Sequence, residues 1–469
     1  MNRITRMPIA LAAALLASAC ATLEPALPEA IPSIPAQWPS SSTVATAPAT
    51  PITGIADVGW RDFFVDPRLA QLIARSLENN RDLRVAVLNV ERARGLYRIQ
   101  RAARVPSVGV AGTLTRSGGD HRDVNDAYAV SLGITEFELD LFGRVRNLSQ
   151  AALEQYFAQE EARRSAQLSL VAEVANAYLT LAADQELMRV AQATREIEDA
   201  AYRLTQKRHE IGAVSGLELN QARLSVETAR ADAARFAGQV AKDANALALL
   251  VGAPVEPDLL PEDFDRHLSG LQALPAGLPS EVLLRRPDVL QAEHALRAAN
   301  ANIGAARAAF FPSIRLTGAV GTASDELSGL FRSGSFAWSV LPRIDVPIFQ
   351  GGRLVANLDV ARADRDIALA LYEKSIQAGF REAADALSLV GTLAEQRLAQ
   401  ESLLDAASQA DRLSRSRYEA GRDSYLVLLD AQRTLYAARQ GLVATRLAEQ
   451  ANRVTLYKVL GGGWKERNP

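Results

Sequence analysis

Apolar residues recur at helical spacing over two very long stretches of the chain. Leu168, Val171, Ala175, Tyr178 and Ala182 step by 3, 4, 3 and 4 residues, the spacing of a coiled-coil seam. Helix breakers are missing from the same stretches. Arg144 to Ile211 holds neither proline nor glycine; Arg353 to Ala420 holds no proline, and its only glycines are Gly379 and Gly391. Unbroken helices of about 65 residues would measure roughly 100 Å at 1.5 Å per residue, far beyond the globular norm. Alanine fills much of the seam, which lets the helices pack closely.

Helices this long need partners. Asp82 to Ala103 with Leu217 to Val251, and Asp288 to Ala309 with Tyr425 to Leu460, read as shorter helices. Stacked end to end in pairs, they would cover one long helix each. The proline-rich stretch 253–287 between them reads as an irregular mid-length belt.

Period-two alternation predicts four strands. Val108, Val110, Gly112 and Leu114 alternate with Gly109, Ala111, Thr113 and Thr115, and Tyr128, Val130, Leu132 and Ile134 with Ala129, Ser131, Gly133 and Thr135. Ile314, Leu316, Gly318 and Val320 alternate with Ser313, Arg315, Thr317 and Ala319. Phe336, Trp338, Val340, Pro342 and Ile344 form the last apolar series, with Leu341 out of place on its polar side. Such strands suit the wall of a water-filled barrel or a half-buried soluble sheet.

The chain is written twice. At an offset of 206, Asp82 to Gly112 matches Asp288 to Gly318, including Ala102-Ala103-Arg104-Val105-Pro106-Ser107 against Ala308-Ala309-Phe310-Phe311-Pro312-Ser313. At an offset of 209, Arg208 to Leu217 matches Arg417 to Leu426, and Gly252 falls on Gly461. Each half runs helix, strand, loop, strand, very long helix, tight turn, helix. Repeats over 60–252 and 288–463 are expected, with a short tail at 464–469.

The N-terminus bears on which reading of the strands holds. Arg3 and Arg6 precede the apolar run Pro8 to Ala17, and Ala17-Ser18-Ala19-Cys20 follows. This is a secretory signal over 1–19, too short to span a bilayer as a mature helix. Cys20, the only cysteine, resembles the acylated residue of a bacterial lipobox, although the stretch also suits an ordinary signal peptide. Residues 20–59 are rich in Pro, Ala, Ser and Thr and read as an extended tether. Together with aromatic residues near strand ends (Tyr128, Phe310, Phe311, Phe331, Phe336), the signal favours the membrane barrel. Four strands cannot close one, and hydrocarbon tolerates no open edge. Closure alone permits two, three or four copies.

Composition narrows the function. A net charge of −2 offers no polybasic surface for nucleic acid. One cysteine and four scattered histidines leave little for a metal site. No GxSxG, P-loop or HExxH motif is present. We expect no enzyme activity, cofactor or metal.

These features together resemble the TolC-like outer-membrane factors, in their lipidated OprM/NodT-like branch. The resemblance rests on Cys20, the duplicated Ala-Ala-x-x-Pro-Ser, Asp140-Leu141-Phe142-Gly143-Arg144 and Ile348-Phe349-Gln350-Gly351-Gly352-Arg353. Gly-x-x-Ser-x-Leu at Gly212 and Gly421, Leu428-Leu429-Asp430-Ala431-Gln432 and Leu460-Gly461-Gly462-Gly463-Trp464 complete it. It implies a mainly α protein with a small transmembrane β part: long coiled-coil helices, and four strands per protomer of a trimeric 12-stranded barrel. It also implies an efflux exit duct in the outer membrane with a long periplasmic extension, fed by a periplasmic adaptor and an inner-membrane pump. Under it, Cys20 carries the lipid, and the hairpin tips at Gly212, Ser215, Leu217, Gly421 and Ser424 dock the adaptor. Leu426, Asp430 and Arg433 form the periplasmic gate, with Arg433 holding Asp430 within a helix or between neighbours. Asp423 is expected to cap the helix after the second turn. The alternative is a periplasmic coiled-coil lipoprotein that scaffolds or tethers, its strands forming a soluble sheet.

Overall fold

The computed structural model describes residues 23–31, 34–35, 58–120, 122–262, 264 and 280–462. Cys20, His121, His267 and Trp464 lie outside them. The elements run α1 (Trp60–Phe63), α2 (Pro67–Asn79), α3 (Arg81–Ala102), β1 (Val108–Gly119), β2 (Arg122–Leu139), α4 (Arg144–Glu210) and α5 (Gly216–Val251). The second half follows with α6 (Pro287–Ala308), β3 (Ser313–Ser324), β4 (Phe336–Asp345), α7 (Arg353–Glu419) and α8 (Tyr425–Val459). Both breaker-free stretches are single helices of 67 residues. Gly379 inside α7 lies against Arg286, where an added Cβ would sit 3.4 Å from the guanidinium, in ordinary van der Waals contact.

α1 and α2 precede the repeated plan. Asp66 caps α2 by accepting a hydrogen bond from the Arg68 backbone N–H at 2.9 Å, and Pro67 occupies the first turn, where its missing N–H costs nothing. In the belt, 3₁₀ turns form at Pro257–Leu259 and Ser280–Arg285. Residues 23–31 run without regular structure against α6 and α7. Asn300 donates to Glu24 (3.0 Å) and to the Pro25 carbonyl (2.8 Å), Arg307 donates to the Leu23 carbonyl (3.1 Å), and the Ile31 N–H donates to Glu373 (3.3 Å).

The chain forms two compact units, and each repeat contributes to both. One comprises Leu88–Glu161 and Leu290–Ser375 with the N-terminal segment. It contains a four-stranded antiparallel sheet in the order β1-β2-β3-β4. The other comprises Ala162–Val289 and Ile376–Pro469 with Ser33–Val87. Its core gathers Trp60, Phe63, Leu72, Ile73, Val174, Tyr178, Leu247, Val251 and Tyr457. Phe63 stacks on Tyr457 at 4.1 Å between ring centroids, and the Tyr457 hydroxyl donates to the Val58 carbonyl at 2.9 Å. Burying aromatic rings of this size is a large share of such a core's stabilisation.

Within this second unit the duplication is visible atom by atom. Gly252 and Gly461 both end a helix in the left-handed region, φ +73° and +76°. Asn80 donates to the Leu250 carbonyl at 2.9 Å and accepts from the Leu83 N–H. At the matching place Arg286 donates to the Val459 carbonyl at 2.9 Å and forks onto Asp288 at 3.0 and 2.7 Å. Different side chains thus tie the end of each returning helix to the start of α3 or α6.

Candidate functional site

Each unit offers its own candidate site: the faces of the sheet in the first, the turns of the two helical hairpins in the second. Pairing aligns the apolar series across all four strands. Val110 stands opposite Leu132, Leu132 opposite Val320, and Val320 opposite Trp338. Leu114 meets Tyr128, and Ile314 meets Ile344. The face is exposed: Val110 is 74% accessible and Trp338 70%. The reverse face carries Gly, Ala, Ser and Thr, with Leu341 opposite Thr317, and charged residues at its helix end, where Glu138, Arg315 and Arg343 stand in a row. β2 continues to Leu139, beyond its regular alternation, through a bulge between Ile134 and Phe137. Glu136 sits there at φ +50°, the one non-glycine residue with positive φ among the described residues. The bulge absorbs one extra residue, so Phe137 pairs with Leu316 and Leu139 with Ile314 on the apolar face. Among the described residues β1 pairs only with β2 and β4 only with β3, leaving two edges without a partner strand.

The hairpin turns are copies of one another. The Gly212 N–H bonds the His209 carbonyl and the Ala213 N–H the Arg208 carbonyl, each at 2.8 Å. Gly421 and Arg422 make the same pair of bonds to Tyr418 and Arg417, each at 2.9 Å. This 5→2 and 6→1 pattern needs a left-handed residue after the helix, and Gly212 and Gly421 supply it at φ +75° and +71°. Ser215 and Ser424 share the same extended backbone before the next helix. Only the Ser215 side chain caps, accepting from the Glu218 N–H at 3.2 Å. Asp423 is not the cap. It lies one residue too early, and its carboxylate accepts from Arg417 at 2.6 and 2.9 Å. That guanidinium holds the Asp423 carboxyl below the usual carboxylate range.

Leu217 is exposed at the start of α5; Leu426, Asp430 and Arg433 are exposed on α8. Their spacing of four and three puts the last three on one helix face. Behind that face Tyr425, Leu428 and Leu429 are buried with Ala222 of the other hairpin. Among the described residues no ion pair joins Arg433 to Asp430. Burial pushes the Glu198 carboxyl up, and the nearby charges of Arg415 and Arg433 oppose that push.

A polar contact between the two hairpins lies beside the buried cluster of Tyr425, Leu428 and Leu429 and leaves no signal in the sequence. Arg208 donates to the Tyr418 hydroxyl at 3.4 Å, and that hydroxyl donates to Glu218. The Tyr418 ring lies 5.6 Å from that of Tyr425. Tyr418 occupies the place of His209 in the first repeat, one of several positions at which the two turns differ, so comparing the repeats does not by itself single it out.

Comparison with known proteins places this architecture. Residues 72–253 and 278–462, one segment in each repeat, match the sequence model "Outer membrane efflux protein". The probable efflux pump outer membrane protein TtgC of Pseudomonas putida is 45% identical over 441 residues, 92% of this chain and 91% of that protein. Outer membrane protein OprJ of Pseudomonas aeruginosa is 44% identical, covering 88% of each. The crystal structure of the open state of the Neisseria gonorrhoeae MtrE outer membrane channel shares 40% identity at a TM-score of 0.85. It covers 95% of this chain and 99% of that one. The chain belongs to the outer membrane efflux protein family.

Proposed function

We propose that three copies of this chain form an outer-membrane exit duct, passively conducting drugs or other small molecules delivered by a periplasmic adaptor and an inner-membrane pump. The duct catalyses no reaction and needs no cofactor. One observation carries this reading: an exposed apolar sheet face, in register over four strands, flanked by two unpaired edges. In lipid such a face is solvated by acyl chains, and the edges must pair. Edge-to-edge closure of three copies gives a 12-stranded barrel with the small-residue face toward water. A periplasmic scaffold would need to bury that face, and no described element of the chain covers it. Conductance of the purified protein in a planar bilayer, with a heat-sensitive trimer band on gels, tests the duct; a scaffold gives neither.

Cys20 is the lipid anchor in this reading, placed three residues before the Leu23 carbonyl that Arg307 holds. Cys20→Ala should lose metabolic labelling by palmitate, and full labelling of that variant would refute the anchor. The barrel holds the protein in the membrane by itself, so the variant still reaches the outer membrane.

The paired turns around Gly212, Ser215 and Leu217 and around Gly421 and Ser424 are the docking edge for the adaptor. They break otherwise continuous helices and present matched backbone geometry twice per chain. Cysteines at Ala213 or Arg422 should crosslink to an adaptor in cells, whereas cysteines at Ser117 or Ser324 should not. The reverse pattern would invert the orientation.

A further inference from the structure

The small-residue face of the sheet is not uniformly uncharged. At the end where α4 begins, charged side chains form a row across it. Glu138 of β2 stands opposite Arg315 of β3, and Arg315 stands opposite Arg343 of β4. The bulge at Glu136 keeps Glu138 on this face while Phe137 and Leu139 stay on the other. Like charges directly opposite one another are destabilising by themselves, so the Arg315–Arg343 pair needs compensation. Three carboxylates supply it. Arg144 forks onto Glu138 at 2.8 and 2.5 Å, Arg315 lies 3.8 Å from Glu136, and Arg343 donates to Asp345 at 3.0 Å. Each chain therefore brings three guanidiniums and three carboxylates of the sheet end to one level. Asp140, which also acts on Arg144, is engaged at the start of α4, where it accepts from the Val145 and Arg146 N–H groups at 3.1 and 2.7 Å and faces the positive end of the helix. Toward the β1–β2 turn this face carries only small residues and Leu341 as far as Thr115, Ala127, Ala323 and Ala337.

Charges on the lipid side of a barrel strand are costly near midplane, whereas on the water side they act on passing solutes. We infer that these six side chains form a charge-balanced collar that sets the ionic preference of the barrel lumen. It passes cationic and anionic solutes alike, because neither sign is left in excess at that level. This inference rests on the trimeric duct proposed above. Arg315 and Arg343 are its most exposed cations, with side chains 42% and 68% accessible. They are therefore the specificity-determining residues. Arg144, forked onto Glu138, acts as a positioning residue.

The test is the reversal potential of single channels under a salt gradient at low ionic strength, where wall charges are least screened. It is run on the native chain and on D430N, so that a ring elsewhere does not mask the collar. Arg315→Gln with Arg343→Gln should raise the cation-over-anion permeability ratio by about threefold, and Glu136→Gln with Asp345→Asn should lower it by about as much. All four substitutions together should return the native ratio, and Arg315→Lys with Arg343→Lys should keep it, since charge and not fork geometry sets the effect. Conducting trimers whose reversal potential ignores both charge-removing pairs would overturn the collar alone. A protein that never conducts would remove the duct reading and the collar with it.

Discussion

Deleting Ser131 should abolish the trimer, whereas deleting Glu136, five residues on in the same strand, should leave it assembled. β2 is bonded on both sides, to β1 and to β3, so its register is fixed twice. Side chains alternate faces at every residue, and a one-residue slip exchanges the faces for everything beyond it. Losing Ser131 turns either Tyr128 and Val130 or Leu132 and Ile134 toward water, and small residues take their places against lipid. Each large apolar side chain moved out of hydrocarbon costs about 1.5–3 kcal/mol, repeated in three chains. Glu136 is different because the bulge already counts it together with a neighbour against Thr317. Its removal makes β2 regular, with Phe137, Glu138 and Leu139 on their present faces. It also relieves a non-glycine residue of φ +50°, a conformation costing on the order of 1 kcal/mol. The measurement is the fraction of trimer that survives in detergent before heating. Equal trimer from both deletions would contradict the face assignment on which the barrel rests.

The bulge also shows where the sequence stops being readable. Regular alternation runs through Tyr128, Val130, Leu132 and Ile134 and then breaks phase at Glu136-Phe137. A strand read from alternation ends at Thr135, although pairing continues to Leu139. The long helices were legible because one negative signal, the missing breakers, extends over nearly seventy positions and outweighs any local ambiguity. Their ends, at Glu210 and Glu419, fall just before glycines that the backbone requires. α2 announced itself only locally, through Asp66-Pro67 at its start. The Asn80 and Arg286 ties lie at matching places in the repeat but have different chemistry. At this tie, unlike at the paired glycines Gly212/Gly421 and Gly252/Gly461, the same job is done by different residues, so identity between the repeats does not mark it. Tyr418 and Glu218 are 200 positions apart, and only folding both hairpins side by side reveals their contact. The exposed face of Leu426, Asp430 and Arg433 follows from helical spacing once the buried positions between them are known.

Replacing Leu426 and Asp430 together with alanine should open the duct. Both side chains lie on the exposed face of α8, and Leu426 is 59% accessible. The buried contacts that hold the tip, made by Tyr425, Leu428 and Leu429 with Ala222, are left untouched. Alanine is also the strongest helix former, so the substitutions should change stability by no more than about 0.5 kcal/mol. Any change in transport then belongs to the missing groups and not to a collapsed tip. In a trimer, three Leu426 side chains would make an apolar ring that resists wetting, and three Asp430 carboxylates one turn away would attract cations. Arg433 makes no ion pair with Asp430 within the chain, so pairing, where it exists, runs between neighbours. Loss of both rings should raise bilayer conductance, weaken cation preference and let large antibiotics leak into the cell. Leu428→Ala supplies the contrast, because Leu428 is buried beside Tyr425. Truncating it should cost about 2–4 kcal/mol and disturb trimer stability before selectivity. A double variant with an intact trimer, native conductance and native selectivity would place the constriction elsewhere along the helices.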